Sequence, residues 1–290
     1  MFRLKAFLPV AALCMGAMIA GAAQGQAPAP RSIAYGPDRL QQLDFWPARA
    51  AANGQRPPLI VFVHGGAWSM GDKDKGTGPW KATHFPEEGY AFASLDYRLV
   101  PAARVEDEAG DIALALRALA DRAGELGFDR NHIVLMGHSA GAHLVALLST
   151  DPAYLKRAGL SFDSIAGTIA IDGAGYDVPA QMANAGPLLR RAYVQAFGTD
   201  EVRQRALSPS LRAAPPTVGH FLLLHVQRPD GIAQAKELAQ ALQHAGAAVQ
   251  VNGFAGDGLA GHMTINRRLG DPSYEATPVV DQWLAGLFAH

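Results

Sequence analysis

Six short apolar runs, rich in β-branched and aromatic residues, recur along the chain at positions 58–63, 90–95, 132–136, 165–171, 221–226 and 248–254. Runs of this length between turn residues are typical of buried strands. Helical patterns at 106–123, 140–149, 233–244 and 274–288 separate several of them; in the first, Ile112, Leu116 and Leu119 form one apolar face. The alternation predicts an α/β fold with a mostly parallel central sheet and helices on both faces.

One stretch, residues 176–216, interrupts this alternation and carries five prolines. Proline breaks regular structure, so the pattern predicts an inserted, partly helical segment over the edge of the sheet. Long insertions of this kind are either lids over active sites or plain surface excursions. The sequence leaves both interpretations open.

The N-terminal segment has the pattern of a secretory signal peptide. Arg3 and Lys5 precede an apolar stretch over 6–23, and small residues and prolines follow. We expect residues 1–27 to be the signal peptide, with cleavage after Ala23 or Ala27, and residues 28–290 to be one catalytic domain. The alternative is an anchor that is retained. Cleavage predicts an exported protein, periplasmic or secreted, without a stable membrane span.

Composition and charge narrow the class of partner and cofactor. The chain has 290 residues, of which 49% are hydrophobic and 18% charged, and its formal net charge is −1. It lacks the basic stripe of a nucleic-acid-binding protein. The only cysteine, Cys14, lies in the predicted leader, so we expect neither disulfide nor thiol chemistry. No His, Cys and carboxylate spacing suits zinc, so no metal and no cofactor are predicted. The oligomeric state stays open.

The pentapeptide Gly137-His138-Ser139-Ala140-Gly141 matches the pattern G-x-S-x-G between a predicted strand and a predicted helix. A sharp strand-to-helix turn exposes the serine hydroxyl, and the glycines leave room where a Cβ would clash. The dipole of the following helix favours negative charge at this point. The pattern therefore predicts Ser139 as a nucleophile, against the alternative of an ordinary glycine-rich turn.

A second glycine motif, His64-Gly65-Gly66-Ala67-Trp68, follows the first predicted strand. Attack on an acyl group creates an oxyanion, and a backbone N–H already in place stabilises it by about 3 kcal/mol. We expect the N–H groups of Gly65, Gly66 and Ala140 to form an oxyanion hole. His64 is expected to orient its own loop.

The general base is expected to be a histidine late in the chain. His262 follows the last predicted strand in a glycine-rich loop, residues 256–262, which we expect to carry the imidazole to Ser139. For the acid that orients it we choose Asp230, after the preceding strand, with Asp172 or Asp177 as the alternative. The expected substrate-pocket residues are Trp68, Trp80, Phe85 and His138, although the backbone should point His138 away from Ser139; core aromatics are an equal alternative for the first three.

Together with Gly71-Asp72-Lys73, Asp96-Tyr97-Arg98-Leu99 and the continuation Ala142-His143-Leu144, these motifs resemble the α/β-hydrolase superfamily. More narrowly they resemble bacterial carboxylesterases near the hormone-sensitive-lipase and feruloyl-esterase groups. The resemblance covers the chain from roughly residue 40 onward and implies the α/β-hydrolase fold and the triad order Ser, Asp, His. Two departures stand out: Ala67 replaces a third glycine, and the loop that ends at Asp230 is one residue longer than usual.

These residues predict a serine hydrolase that cleaves small to medium carboxylic esters through an acyl-enzyme intermediate. Three alternatives remain at this point. The enzyme cleaves an amide, as an arylformamidase does; it is an acetyl or feruloyl esterase that acts on plant polysaccharide; or the chain is a non-catalytic binding protein on a hydrolase scaffold.

Overall fold

A computed structural model describes residues 29–49 and 55–289. The predicted signal peptide lies outside the described residues, so its cleavage stays a prediction, which N-terminal sequencing of the mature protein tests. Within the described part of the chain, no helix is both long and apolar enough to span a bilayer.

Eight strands form one sheet in the order β1-β2-β4-β3-β5-β6-β7-β8. The strands β3 to β8 are mutually parallel, whereas β2 pairs antiparallel with both β1 and β4. The strand bounds are β1 Arg31–Ala34, β2 Gln42–Trp46, β3 Leu59–Val63, β4 Ala91–Leu95, β5 Ile133–His138, β6 Ile165–Ile171, β7 His220–Gln227 and β8 Ala248–Asp257.

Thirteen helices connect and cover the described strands. Their bounds are α1 Lys73–Thr77, α2 Lys81–Glu87, α3 Val105–Asp121, α4 Ala123–Leu126, α5 Ala140–Thr150, α6 Pro152–Arg157, α7 Val178–Asn184, α8 Pro187–Phe197, α9 Glu201–Ala206, α10 Pro209–Arg212, α11 Pro229–His244, α12 Gly258–Arg268 and α13 Ala276–Leu287.

The sheet separates two apolar layers, as expected for a parallel sheet covered on both sides. Strand β3 shows the division, because its side chains alternate between the faces. Leu59, Val61 and Val63 join the layer under α3, α5 and α11, whereas Ile60 and Phe62 join the layer under α2, α12 and α13. All five side chains are fully buried.

All six strands that the sequence predicts are present. The structure has two further strands, β1 and β2, which the sequence pattern does not predict. Both are short, and polar residues interrupt their apolar positions: β1 reads Arg-Ser-Ile-Ala and β2 reads Gln-Leu-Asp-Phe-Trp. Strands of this kind are defined by their partners in the sheet more than by their own periodicity.

The insertion 176–216 lies between β6 and β7 and contains the helices α7 to α10. Tyr193 and Phe197 of α8 are buried, and their ring centroids lie 5.7 and 4.6 Å from that of Trp68, which follows β3. The insertion therefore packs on the segment after β3 through an aromatic cluster. Its movement as a lid stays a prediction.

Candidate active site

Ser139 stands between β5 and α5 in a conformation that non-glycine residues rarely adopt, with φ 56° and ψ −119°. Two backbone hydrogen bonds hold it: its N–H donates to Ile171 at 3.0 Å, and the His143 N–H donates to its carbonyl at 3.2 Å. The side chain is partly exposed, although β5 and α5 on either side are buried. This is the tight strand-to-helix turn that the pentapeptide predicts.

The two outer glycines of the pentapeptide allow this turn because α5 passes very close to the sheet. A Cβ on Gly137 would lie 2.3 Å from the Gly141 carbonyl oxygen, and a Cβ on Gly141 would lie 2.1 Å from the Val63 carbonyl oxygen. No side chain fits at either position. Glycine is therefore required for steric reasons on both sides of Ser139.

Unusual backbone geometry is concentrated at this edge of the sheet. Among the described residues, four non-glycine residues have positive φ: Ala67, Trp68, Ser139 and Asp172. Two follow β3, one follows β5 and one follows β6. Each such conformation costs on the order of 1–3 kcal/mol and persists where the surrounding structure enforces it, commonly at functional sites.

The loop after β3 lies directly beside Ser139. A Cβ on Gly65 would be 2.9 Å from the Cβ of Ser139. The loop is held by His64, whose Nδ1 lies 2.7 Å from the Gly65 carbonyl oxygen and whose ring stacks on Tyr97 at 4.4 Å. Gly66 has φ 135°, and a Cβ there would overlap the Met70 backbone. Of the three expected oxyanion donors, Gly65 therefore lies beside Ser139 and Ala140 follows it as the first residue of α5, whereas Gly66 packs against Met70.

His262 is buried on α12, so the expected glycine-rich loop is in fact the end of β8 followed by a helix. Gly256 and Gly261 pack against each other at this junction, because a Cβ on Gly261 would lie 2.4 Å from the Gly256 carbonyl carbon. One turn after His262, Asn266 accepts hydrogen bonds from the buried ammonium of Lys81 on α2. The helix that carries the imidazole is therefore anchored on both sides.

The structure corrects the choice of acid. His262 Nδ1 lies 2.5 Å from Asp172 Oδ2, in a pair that is buried. Asp230 does not contact His262; its side chain is 43% exposed and its Oδ2 accepts from Gln181 Nε2 at 3.2 Å. The reason is that Pro229 begins α11, so Asp230 points out from the first turn of a helix. Asp177, the other alternative, caps α7 through Ala180 N–H.

Asp172 is held ionised next to the imidazole. Burial alone would raise the pKa of Asp172, but the hydrogen bond from His262 and the charge of Arg228 outweigh burial and lower that pKa. The other oxygen, Oδ1, accepts from the Val226 N–H at 3.2 Å. A carboxylate fixed in this way holds one imidazole tautomer, with the proton on Nδ1 and a lone pair on Nε2.

His138 packs behind His262. Its ring centroid lies 4.5 Å from that of His262, and its Nε2 donates to the His262 carbonyl oxygen at 2.9 Å. Burial first, and then the nearby charge of His262, lower the pKa of His138 well below its usual value, so the ring is neutral. His138 is 3% exposed; it supports His262 and is not a wall of an open pocket.

Among the described side chains, Ser139 Oγ and His262 do not form a hydrogen bond with each other. Both residues nevertheless lie at the same edge of the sheet, with Gly65 beside one and Asp172 beside the other. Catalytic hydrogen bonds commonly close only when a substrate is bound.

Two of the three expected pocket aromatics are not arranged as predicted. Phe85 belongs to the core layer under α2, where it stacks on Phe92 with centroids 5.7 Å apart. Trp68 is 2% exposed and donates from Nε1 to His143 Nδ1 at 3.1 Å, so it fills the aromatic cluster instead of lining an open pocket. Trp80 remains partly exposed and adjoins Gly270.

Sequence reasoning missed the residues that support the site. Arg228 contacts Asp172, and His143 joins Trp68 to the insertion. No local motif marks either residue, because each acts through a contact with a segment distant in sequence. In the described part of the chain, no group of three His, Cys, Asp or Glu side chains is arranged to hold a metal ion.

Comparison with known families matches residues 44–165 to the BD-FAE family model. The matched segment runs from β2 to the first residue of β6. It contains the loop after β3 and the turn at Ser139, and it ends before Asp172 and His262.

Two curated proteins illustrate the similarity. Isoprenylcysteine alpha-carbonyl methylesterase ICME of Arabidopsis thaliana is 29% identical over 241 residues, which cover 78% of this chain and 55% of that protein. Esterase LipC of Mycobacterium tuberculosis is 34% identical over 127 residues, which cover 43% of this chain and 31% of that protein. The chain thus spans about half, or less, of the length of the curated relatives it matches.

Solved structures show the same architecture over nearly the whole chain. Esterase B from Lactobacillus rhamnosis superposes with a TM-score of 0.72 at 19% identity and covers 91% of this chain and 86% of that one. Thermogutta terrifontis esterase 2, in a form phosphonylated by sarin, has a TM-score of 0.74 at 20% identity and covers 90% and 96%. The chain therefore has the α/β-hydrolase fold. The curated relatives confirm the predicted resemblance to esterases.

Proposed function

We propose that this protein is a serine hydrolase that cleaves carboxylic esters of small to medium substrates, with Ser139 as nucleophile, His262 as general base and Asp172 as the acid that orients it. The observation that carries the proposal is the 2.5 Å contact between Asp172 Oδ2 and His262 Nδ1 at the edge of the sheet where Ser139 stands. The esterase names of the relatives support the bond type.

The reaction follows from the roles of these groups. Ser139 Oγ attacks the ester carbonyl carbon while His262 Nε2 takes the hydroxyl proton, and Asp172 stabilises the imidazolium that forms. The oxyanion of the tetrahedral intermediate then accepts hydrogen bonds from the N–H groups of Gly65, Gly66 and Ala140. His262 then protonates the leaving alcohol as the C–O bond breaks. Water repeats the sequence and releases the carboxylic acid from Ser139.

A Ser139→Ala variant tests the nucleophile. We expect hydrolysis of p-nitrophenyl acetate to fall by a factor of about 10³ or more, because the covalent route is lost. A fluorophosphonate probe should label wild type at Ser139 and leave the variant unlabelled.

The exposed Ser161→Ala is the matched control and should keep both the rate and the label. An adduct on any other residue, or a Ser139→Ala variant with full activity, would refute the proposal. Faster turnover of N-formylkynurenine than of the ester would keep Ser139 and assign the enzyme to amide hydrolysis.

A further inference from the structure

An arginine stands beside the carboxylate that orients His262. Arg228 Nε lies 3.1 Å from Asp172 Oδ2, the same oxygen that contacts His262 Nδ1. The arginine side chain is 15% exposed and the aspartate side chain is fully buried. We propose that Arg228 is a positioning residue for the Asp172 carboxylate. It holds this carboxylate in place, and the negative charge of Asp172 is thereby divided between Arg228 and His262.

The local structure is shaped around this guanidinium. The backbone N–H of Arg228 donates to Val226 at 2.8 Å, and its side chain reaches Gly173, the residue after the aspartate, with an Nη2 to carbonyl oxygen distance of 3.4 Å. Gly231 leaves the space that the arginine occupies, because a Cβ there would lie 2.9 Å from Nη2 and 3.3 Å from Asp172 Oδ1. Contacts of this kind hold the guanidinium in one place.

A second carboxylate faces the solvent side of the arginine. Asp230 Oδ2 lies 3.8 Å from Arg228 Nη1, and its side chain is 43% exposed. The charges therefore alternate from the core outward, from Asp172 through Arg228 to Asp230. The residue expected from sequence to be the catalytic acid thus acts on that acid only indirectly.

The consequence for the base follows from charge. Arginine remains protonated throughout the working pH range. Its positive charge offsets part of the attraction between Asp172 and the protonated imidazole, and it also repels that imidazolium directly. Loss of the Arg228 charge would therefore strengthen the attraction that Asp172 exerts on a protonated His262.

Other charged and titratable groups surround this pair, and the test must keep them constant. His138 lies at the end of β5 and Lys81 on α2. Tyr176 and Tyr274 are near Asp172, and both have a pKa raised chiefly by burial. None of these four groups forms an ion pair with Asp172 within the described residues. Arg228 is therefore the one ion-pair partner of Asp172 besides His262.

The experiment compares pH profiles of kcat/KM for wild type, Arg228→Gln and Arg228→Lys. On the acid limb of the profile, kcat/KM falls as the pH decreases. Removal of the charge in Arg228→Gln should move the midpoint of this limb upward by about 1 pH unit. The Lys variant keeps the charge, so its midpoint should stay with that of wild type even where its kcat is lower. Arg117→Gln, which loses a surface pair with Asp121 on α3, is the matched control and should show no shift.

The exposed Asp230→Asn gives a second test in a variant whose core is untouched. It removes the counter-charge of Arg228, so the acid limb should move slightly downward, by about 0.2–0.3 pH unit at low salt, with less effect at high salt. An acid limb that is unchanged or lowered in Arg228→Gln, or raised in Asp230→Asn, would overturn the inference.

The inference rests on the proposed function, and the two fail in different ways. If wild type does not hydrolyse esters, or if Ser139→Ala does, the function itself is wrong. If wild type is active through Ser139 and Arg228→Gln has the same pH profile as wild type, only the role of Arg228 is wrong.

Discussion

At the scale of single residues, Ser139 and Asp172 occupy equivalent places. Each follows the last residue of a strand, β5 for one and β6 for the other, and each has positive φ, 56° and 43°. The two strands are neighbours in the sheet. Two abrupt backbone turns on adjacent parallel strands therefore present a hydroxyl and a carboxylate at the same edge of the sheet. His262, on the helix α12 that follows β8, contacts that carboxylate.

The assignment of Asp172 leads to a direct comparison of three aspartates. Asp172→Asn should fold and lose about 10³ to 10⁴ in kcat, because the amide no longer favours the productive imidazole tautomer. Asp177→Asn should retain turnover, since asparagine caps α7 as well as aspartate does. The measurement is kcat on p-nitrophenyl acetate at pH 8, with active sites counted by a fluorophosphonate probe.

Asp230→Asn should cost less than about tenfold under the same conditions, because Asp230 is exposed and acts only through Arg228. If Asp230→Asn loses as much turnover as Asp172→Asn does, Asp230 would be the acid that orients His262, as the sequence predicts.

At the scale of elements, one histidine joins three parts of the site. His143 on α5 accepts from Trp68 Nε1 at 3.1 Å and donates from Nε2 to the Leu207 carbonyl oxygen at 2.8 Å. Burial lowers the pKa of His143 to about 4, so the ring is neutral and its tautomer is set by these two bonds. The loop after β3, the helix behind Ser139 and the insertion are thereby connected.

Replacing this histidine tests the connection. His143→Leu leaves the Trp68 N–H buried without an acceptor, which costs on the order of 1–3 kcal/mol. We expect a lower Tm, a lower kcat through loss of order in the loop after β3, and faster proteolysis within 187–197.

His132→Leu is the matched control, because His132 is 53% exposed and, among the described charged side chains, pairs only with nearby Asp129. Should His143→Leu keep the wild-type kcat while its Tm falls, His143 would be a core residue without influence on the loop after β3.

At the scale of the whole molecule, the core on one face of the sheet contains a carboxyl group. Glu108 of α3 is fully buried; one of its oxygens lies 3.3 Å from the Val100 N–H, and the other has no hydrogen-bond partner among the described residues. Burial, aided by the charges of Asp111, Asp107 and Glu106, raises the pKa of Glu108 from 4.5 to about 9. The side chain is therefore protonated in the folded protein at neutral pH.

The pKa of Glu108 gives a prediction for stability. A group whose pKa is higher in the folded state stabilises most below its unfolded pKa, near 4.5, and that contribution is lost as the pH rises towards 9. Glu108→Gln, which stays neutral, should remove this loss and be more stable than wild type at pH 8 by about 1–3 kcal/mol. Urea unfolding at pH 5 and pH 8 measures the difference.

Glu106→Gln on the same helix gives the opposite control. Burial would raise the pKa of Glu106, but its bonds with Arg203 outweigh burial and lower that pKa. Its stabilising contribution is therefore present above its unfolded pKa, and the variant should be less stable than wild type at pH 8. An equal pH slope in Glu108→Gln and wild type would mean that Glu108 does not titrate with folding.

The residue pattern by itself determined the parallel strands, the turn at Ser139 and the segment that contains His262. These features depend on neighbours in sequence: apolar runs set the strands, and Gly137 and Gly141 leave the space that a strand-to-helix turn requires. The late position of His262 followed from the order of motifs along the chain. Local steric and burial rules are sufficient for such predictions.

Only the tertiary structure decided which aspartate orients His262, that this histidine stands on a helix, and that Arg228 lies behind the pair. Asp172 and Asp230 both follow strands, and their sequence contexts do not distinguish them. The choice depends on a contact across 90 residues between Asp172, directly after β6, and His262 on α12. It forms because the sheet order and the packing of α12 bring these residues together. Contacts at that separation leave no periodicity in the sequence, because they arise from how whole elements pack.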